Sequence, residues 1–226
     1  MKKAYFVLSI LFGLRLADVS EASPVSGRVN IIGRPAQASF TTVVYAESLD
    51  MRVTPQPGHY KLLQRNKAFV PRVLAVPVGS SVDFPNNDLI FHNVFSRARP
   101  NPFDLGLYRS GSTKSRVFAD AATYRVFCNI HPQMTAVILV LPTSFITEID
   151  GSGSFRLDLP AGRYRVTAWS ERSQPATIEI IVPTSGATSP ELILNESRFV
   201  ELPHSNKFGQ DYPKSAYDPL VDKRSR

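Results

Sequence analysis

The chain has 226 residues, 43% hydrophobic and 20% charged, a composition that fits a globular, water-soluble protein with room for two small domains and a tail. Its formal net charge of +7 is spread along the sequence and not gathered in one basic helix, which argues against nucleic acid and for an acidic protein as partner. A single cysteine excludes an internal disulfide.

Residues 1–22 read as a secretory signal peptide. Lys2 and Lys3 precede the apolar run of "MKKAYFVLSILFGL", and Ser20 and Ala22 set a cleavage site after Ala22. A membrane anchor is the competing reading, but Arg15 and Asp18 interrupt the run short of the ~20 apolar residues that span a bilayer. No later segment is long enough, so no stable membrane insertion is expected and the mature chain is placed in the periplasm. Cleavage removes Lys2, Lys3 and Arg15 against Asp18 and Glu21, leaving 23 basic and 17 acidic residues, a charge of about +6.

Beyond the leader, short alternating runs recur: "SGRVNI", "TTVVYAE", "RVLAVPV", "SSVDF", "ATYRVFC", "TAVILVL", "GSFRLDL", "GRYRVTAW" and "ATIEIIV". They are rich in Val, Ile, Phe, Tyr and Thr and are punctuated by Gly, Pro, Asn and Asp, which predicts an all-β chain of sandwiches. Residues 58–142 hold every candidate metal ligand. Residues 143–195 form a ligand-free strand set, with "PELILNE" as its last strand, and are too few for a sandwich alone. The opening segment, 23–57, supplies two further strands. The expected arrangement is therefore a second small sandwich of 23–57 with 143–195, split by the inserted domain. "DGSG" at 150–153 reads as a hairpin turn and makes a poor calcium loop, because alternating acidic ligands are missing. Residues 196–226 are polar and Pro-rich and are predicted to form a flexible or surface-wrapping tail.

The chemistry concentrates in "VFCNIHPQM", residues 126–134. Exported proteins commonly pair their cysteines, and an exposed thiol is open to oxidation. Cys128 is thus buried and inert, paired with another chain, or protected by a metal. Strand alternation puts Tyr124, Val126 and Cys128 on one face and Arg125 and Phe127 on the other. A tight loop then aims Cys128, His131 and Met134 at one point, and His92 in "FPNNDLIFHNVFS" supplies a fourth donor, with the Asn93 amide next to it placed to brace a neighbouring loop. Two imidazoles and a thiolate with a weak axial thioether suit blue copper: the thiolate stabilises Cu(I) and the imidazoles accept Cu(II). Three other readings compete. A lone buried cysteine is commonly a small hydrophobe. Structural zinc rarely takes a thioether, and a nucleophilic Cys–His pair leaves Met134 without a part. His59 and His204, in polar segments, are expected at the surface.

Residues 58–142 resemble a cupredoxin of the amicyanin, pseudoazurin and plastocyanin group. "FVPRVLAVPVGSSVDF" is similar to the family's opening, "HNV" at 92–94 to its first-histidine motif, and "ATYRVFCNIHPQM" to its short ligand loop. The resemblance implies a Greek-key β-sandwich and one mononuclear type 1 copper site. His92, Cys128 and His131 are then the equatorial ligands, Met134 is the axial one, and the Asn93 N–H bonds the Cys128 sulfur. Ile130 stands where amicyanin has proline, and Gln133 replaces an apolar residue. The "FDLGLY" run and the loop are similar to bacterial methylamine-utilisation or plastocyanin-like proteins that join a cupredoxin to a carboxypeptidase-regulatory-like, transthyretin-like module. "TEIDGSGSFRLDLPAGRYRVTAW" resembles that module's hairpin.

These resemblances imply a non-enzymatic single-electron carrier whose partner is a redox protein, a dehydrogenase or cytochrome. His131 would be the electron port, flanked by Pro132 and Gln133. Arg97, Arg99 and Arg109 would ring it to steer an acidic partner, or be ordinary solvated charge. Copper storage or delivery, and a structural β protein with a vestigial site, are the alternatives. With only four histidines, a second copper cluster for oxidase chemistry is not expected.

Overall fold

The computed structural model describes residues 23–35, 40–99, 101–185, 187–201 and 203–212, so the leader and the end of the tail lie outside it. The described residues form seventeen strands and no helix, as the alternating runs predict. The chain opens with β1 (Ser23–Ile32) and β2 (Val43–Ser48). A run of short strands follows: β3 (His59–Lys61), β4 (Leu63–Arg65), β5 (Ala68–Val70), β6 (Val73–Pro77) and β7 (Ser81–Pro85). Next come β8 (His92–Ser96), β9 (Phe103–Tyr108), β10 (Thr113–Val117), β11 (Ala122–Phe127) and β12 (Thr135–Leu141). The last set is β13 (Ile146–Glu148), β14 (Ser154–Leu159), β15 (Gly162–Trp169), β16 (Ala176–Val182) and β17 (Glu191–Asn195).

A five-stranded sheet, β6-β12-β11-β8-β9, packs against a three-stranded one, β10-β7-β3. Between them lies a core that includes Phe84, Phe118, Tyr124, Val126 and Ile138. Each such large apolar side chain contributes about 1.5–3 kcal/mol by leaving water. Two other sheets, β14-β1-β17 and β13-β2-β15-β16, enclose a second core containing Val25, Val29, Leu157, Leu159, Tyr164 and Leu194. β1 pairs antiparallel with β14 and parallel with β17, and β2 pairs with β13 and β15.

β12, "TAVILVL", joins the two bodies. Its Ala136, Ile138 and Val140 enter the first core, while Val137, Leu139 and Leu141 meet Val43 and Val73 in a third cluster edged by Tyr45 and Trp169. A strand buried on both faces has no polar side, and this is why the run is continuously apolar.

The 150–153 turn differs from expectation. Asp150 Oδ1 accepts the N–H groups of Ser152 (2.8 Å) and Ser154 (3.0 Å), and Gly153 takes φ +83°. The flanking strands do not pair with each other, however: β13 lies on β2 and β14 on β1. The Val29 N–H donates to the Gly153 carbonyl at 2.8 Å, drawing the chain across to β1. A Cβ on Gly153 would meet that strand's Val29 oxygen at 2.6 Å. The turn itself closes as a tight reversal, the Gly153 N–H donating to the Asp150 carbonyl at 3.0 Å and the Asp150 N–H to the Ser154 carbonyl at 2.9 Å, but it carries the chain between sheets and does not join two paired strands.

Candidate metal centre

β11 delivers Cys128. Its Tyr124 and Val126 point into the first core and Phe127 to the opposite, half-covered face, so the next residue turns inward again. Cys128 is fully buried. The chain then closes on itself: the Cys128 N–H donates to the Met134 carbonyl at 3.2 Å, and the Met134 N–H to the His131 carbonyl at 3.0 Å. This brings Met134, also fully buried and in the same core, back beside Cys128 before β12 begins. His92 opens β8, pairs with Tyr108 and is fully buried, whereas His131 is half-buried.

Three donor atoms converge. His92 Nδ1 lies 3.1 Å from His131 Nδ1, and Cys128 Sγ lies 3.8 Å from the former and 3.7 Å from the latter. Metal–nitrogen bonds of ~2.0 Å and a metal–sulfur bond of ~2.3 Å give donor triangles with edges of roughly 3.2–3.8 Å. The triangle thus fits one small ion with soft and borderline ligands.

The surroundings prepare each donor. Asp88 Oδ2 accepts from His92 Nε2 at 2.7 Å, which puts the imidazole proton on that nitrogen and leaves a lone pair on the inward Nδ1. Burial opposes ionisation of Asp88. The backbone N–H of Lys67, the His92 ring and the backbone N–H of Asn66 outweigh it and hold the carboxyl below its ordinary range. Burial, with charge on His92 and Lys67, lowers the His131 pKa and favours the neutral ring a metal requires. Burial raises the Cys128 thiol, although the N–H groups of Asn93, Ile130 and His131 all point at the sulfur and favour the thiolate. Metal binding must therefore displace a proton from sulfur.

Asn93 does more than donate through its backbone. Its side-chain amide donates to Asp104 Oδ1 at 2.6 Å, tying β8 to β9. Pro132 and Gln133 are exposed beside His131. Exposed Leu89, Ile90 and Phe91 directly precede His92, and Ile130 directly precedes His131.

The three arginines do not form one ring. Arg109 follows Tyr108 and so lies at the His92 end of the sheet, whereas Arg97 and Arg99 lie past the other end of β8. Five residues of strand carry them roughly 16 Å away. His59 is exposed on β3, as expected. His204 departs from expectation: it is half-buried, stacked on Phe127 with ring centroids 4.2 Å apart.

Asp88 escaped the sequence reading. Its signal was an acidic residue four positions before His92, but nothing in the sequence shows that the intervening loop folds back. Among the described residues no helix is long and apolar enough to cross a membrane.

No family model and no curated protein matches the chain. Among solved structures, a purple cupredoxin from Nitrosopumilus maritimus is similar over 36% of this chain and 99% of its own, at 21% identity and a TM-score of 0.34. Amicyanin from Paracoccus versutus is similar over 43% of this chain and 98% of its own, at 16% identity and a TM-score of 0.34. A Cu-containing nitrite reductase from Thermus scotoductus matches over 50% of this chain but only 28% of its own length, at 24% identity and a TM-score of 0.35. At such identity and overlap, the donor set of the chain itself has to carry the chemistry.

Proposed function

We propose that this chain is a cupredoxin-type copper protein that passes single electrons, with His92, Cys128 and His131 as strong ligands and Met134 as the weak axial one. The observation that carries the reading is the triangle of 3.1, 3.7 and 3.8 Å between two imidazole nitrogens and the only thiol. Copper held there would supply a one-electron Cu(II)/Cu(I) couple. The chain's own part is to hold the donors still. Asp88 fixes the His92 ring, three N–H groups orient the Cys128 sulfur, and the strands on either side keep the sulfur from water.

His131, half-buried and next to exposed Ile130, Pro132 and Gln133, is the electron port of this proposal. Lys67 and Arg109 supply positive charge on that side for an acidic dehydrogenase or cytochrome in the periplasm. Residues 58–142 are the copper domain. Residues 23–57 with 143–195 are its appended sandwich, of the carboxypeptidase-regulatory-like kind; the pairing of β1 with β14 and β17 supports that division.

The test is the visible spectrum of the purified protein after adding Cu(II). An intense thiolate-to-copper charge-transfer band, abolished in Cys128→Ser, is expected; a colourless wild type refutes the proposal. The fused second body favours one other reading, copper storage or delivery. Voltammetry separates the two, because a carrier cycles reversibly and a delivery protein loses metal when its oxidation state changes.

A further inference from the structure

We infer that residues 203–212 form a strap that holds the ligand loop in register, with His204 and Tyr212 as positioning residues of the metal centre. The inference deepens the copper reading and rests on it. The strap binds the loop along most of its length. The Tyr212 hydroxyl donates to the carbonyl of Cys128 at 2.9 Å, and His204 Nε2 donates to the carbonyl of Pro132 at 2.7 Å. The Lys207 N–H donates to Asn129 Oδ1 at 3.0 Å, and Lys207 Nζ pairs with Asp104 at 2.7 Å, the residue that also holds Asn93. His204 is stacked on Phe127 on one side and meets the Tyr212 ring edge-on on the other, with centroids 5.2 Å apart.

The strap is organised by its own bonds. Asn206, only 7% exposed, accepts the N–H groups of Phe208 (2.9 Å) and Gln210 (3.1 Å) on its side-chain oxygen. Its own N–H donates to the Gln210 carbonyl at 2.8 Å, and Gly209 takes φ +80° to close the turn. The segment is therefore a folded clasp, and its bonds satisfy carbonyls that the loop between β11 and β12 would otherwise turn toward solvent.

Two consequences follow. The strap limits opening of the loop, and with it access to the Cys128 sulfur. The phenol dipole also sets positive charge on the peptide of the ligating cysteine, which favours the electron-richer Cu(I) state and so raises the reduction potential.

The experiment compares the full chain with Tyr212→Phe, His204→Gln and a chain ending at residue 201. Labelling of Cys128 by a disulfide reagent is followed in the metal-free proteins, and the potential is measured in the copper-loaded ones. One lost neutral hydrogen bond predicts labelling about fivefold faster in Tyr212→Phe, with a larger increase in the shortened chain. The potential of Tyr212→Phe should fall. Unchanged labelling in Tyr212→Phe and in the shortened chain overturns the strap. Faster labelling with an unchanged potential overturns the positioning role. If the wild type takes up copper without colour, the copper reading fails, and the labelling rates alone decide for or against the clasp. Thermal melts identify any variant that fails to fold; His204→Gln, which loses the stack on Phe127 but keeps a side-chain donor for Pro132, should then label faster than the full chain, and unchanged labelling in it overturns the strap.

Discussion

Replacing Asp88 by asparagine separates a positioned ligand from a merely buried histidine. The carboxylate accepts three N–H groups, from His92 Nε2 at 2.7 Å, Lys67 at 2.8 Å and Asn66 at 2.5 Å. Asparagine has one acceptor oxygen. If that oxygen takes the place of Oδ1 beside the Asn66 N–H, the amide NH2 takes that of Oδ2, which faces both the Lys67 N–H and His92 Nε2, and demands an acceptor at Nε2. The imidazole proton then moves to Nδ1, the atom assigned to metal in the proposed site. Loss of such an outer hydrogen bond commonly costs 10–100-fold in metal affinity, which is about 1.4–2.7 kcal/mol. Asp88→Ala removes the acceptor without imposing the wrong tautomer, so it should lose less affinity than Asp88→Asn, although it disturbs the turn more. The assay is competition for copper against a chelator of known affinity, with thermal melts as a control on folding. Equal affinity in wild type and Asp88→Asn, or greater loss in Asp88→Ala at unchanged melting temperature, refutes the tautomer argument.

Three further outcomes concern the scaffold. Leu139→Ala opens a cavity in the apolar cluster between the two bodies and should cost about 2–5 kcal/mol in urea unfolding. Gly27→Ala places a Cβ 2.5 Å from both the Phe155 ring and the Pro190 carbonyl, so it should destabilise by about 1–3 kcal/mol; a neutral result would mean that β1 sits more loosely on β17. Burial opposes ionisation of Glu196, but Arg34, Ser170 and Arg172 outweigh it and lower its pKa. Its stabilising contribution is therefore complete above the ordinary carboxyl range and is lost as pH falls through the lowered folded value. Urea midpoints measured from pH 7 to pH 3 should decline less steeply in Glu196→Gln than in wild type.

What was legible in the sequence was the local part. Alternation of Tyr124, Val126 and Cys128 gave the inward sulfur, because side chains on a strand have a strict period of two. The continuous apolar run of β12 was visible, but its meaning was not. Burial on both faces needs a second body, and a single sequence does not say which surface of that body will meet Leu139. The same holds for the 150–153 turn. Its residues specify a tight reversal, while the sheet each flank joins depends on the distant Val29 N–H. His204 and Tyr212 lay in a polar, Pro-containing segment with no strand pattern, and only long-range bonds to Pro132 and Cys128 give them a place.

The geometry of the cluster favours the proposed metal site over the other chemistries a lone thiol can serve. A nucleophilic cysteine needs access and a lowered pKa, with one base to take its proton. Cys128 is fully buried, its pKa is raised by that burial, and its two imidazole neighbours stand nearly equidistant from it. An inert core cysteine accounts for less of the geometry. An aliphatic residue would fill the same space without setting sulfur against two ring nitrogens. With Asp88 holding the Nε2 proton of His92, two imidazole nitrogens only 3.1 Å apart must share a proton, because two facing lone pairs repel. Such an N–H···N bond pairs buried His92 with half-buried His131, while the sulfur beside them accepts backbone N–H groups that favour its thiolate. A shared cation satisfies all three at once, which a proton on any one of them does not.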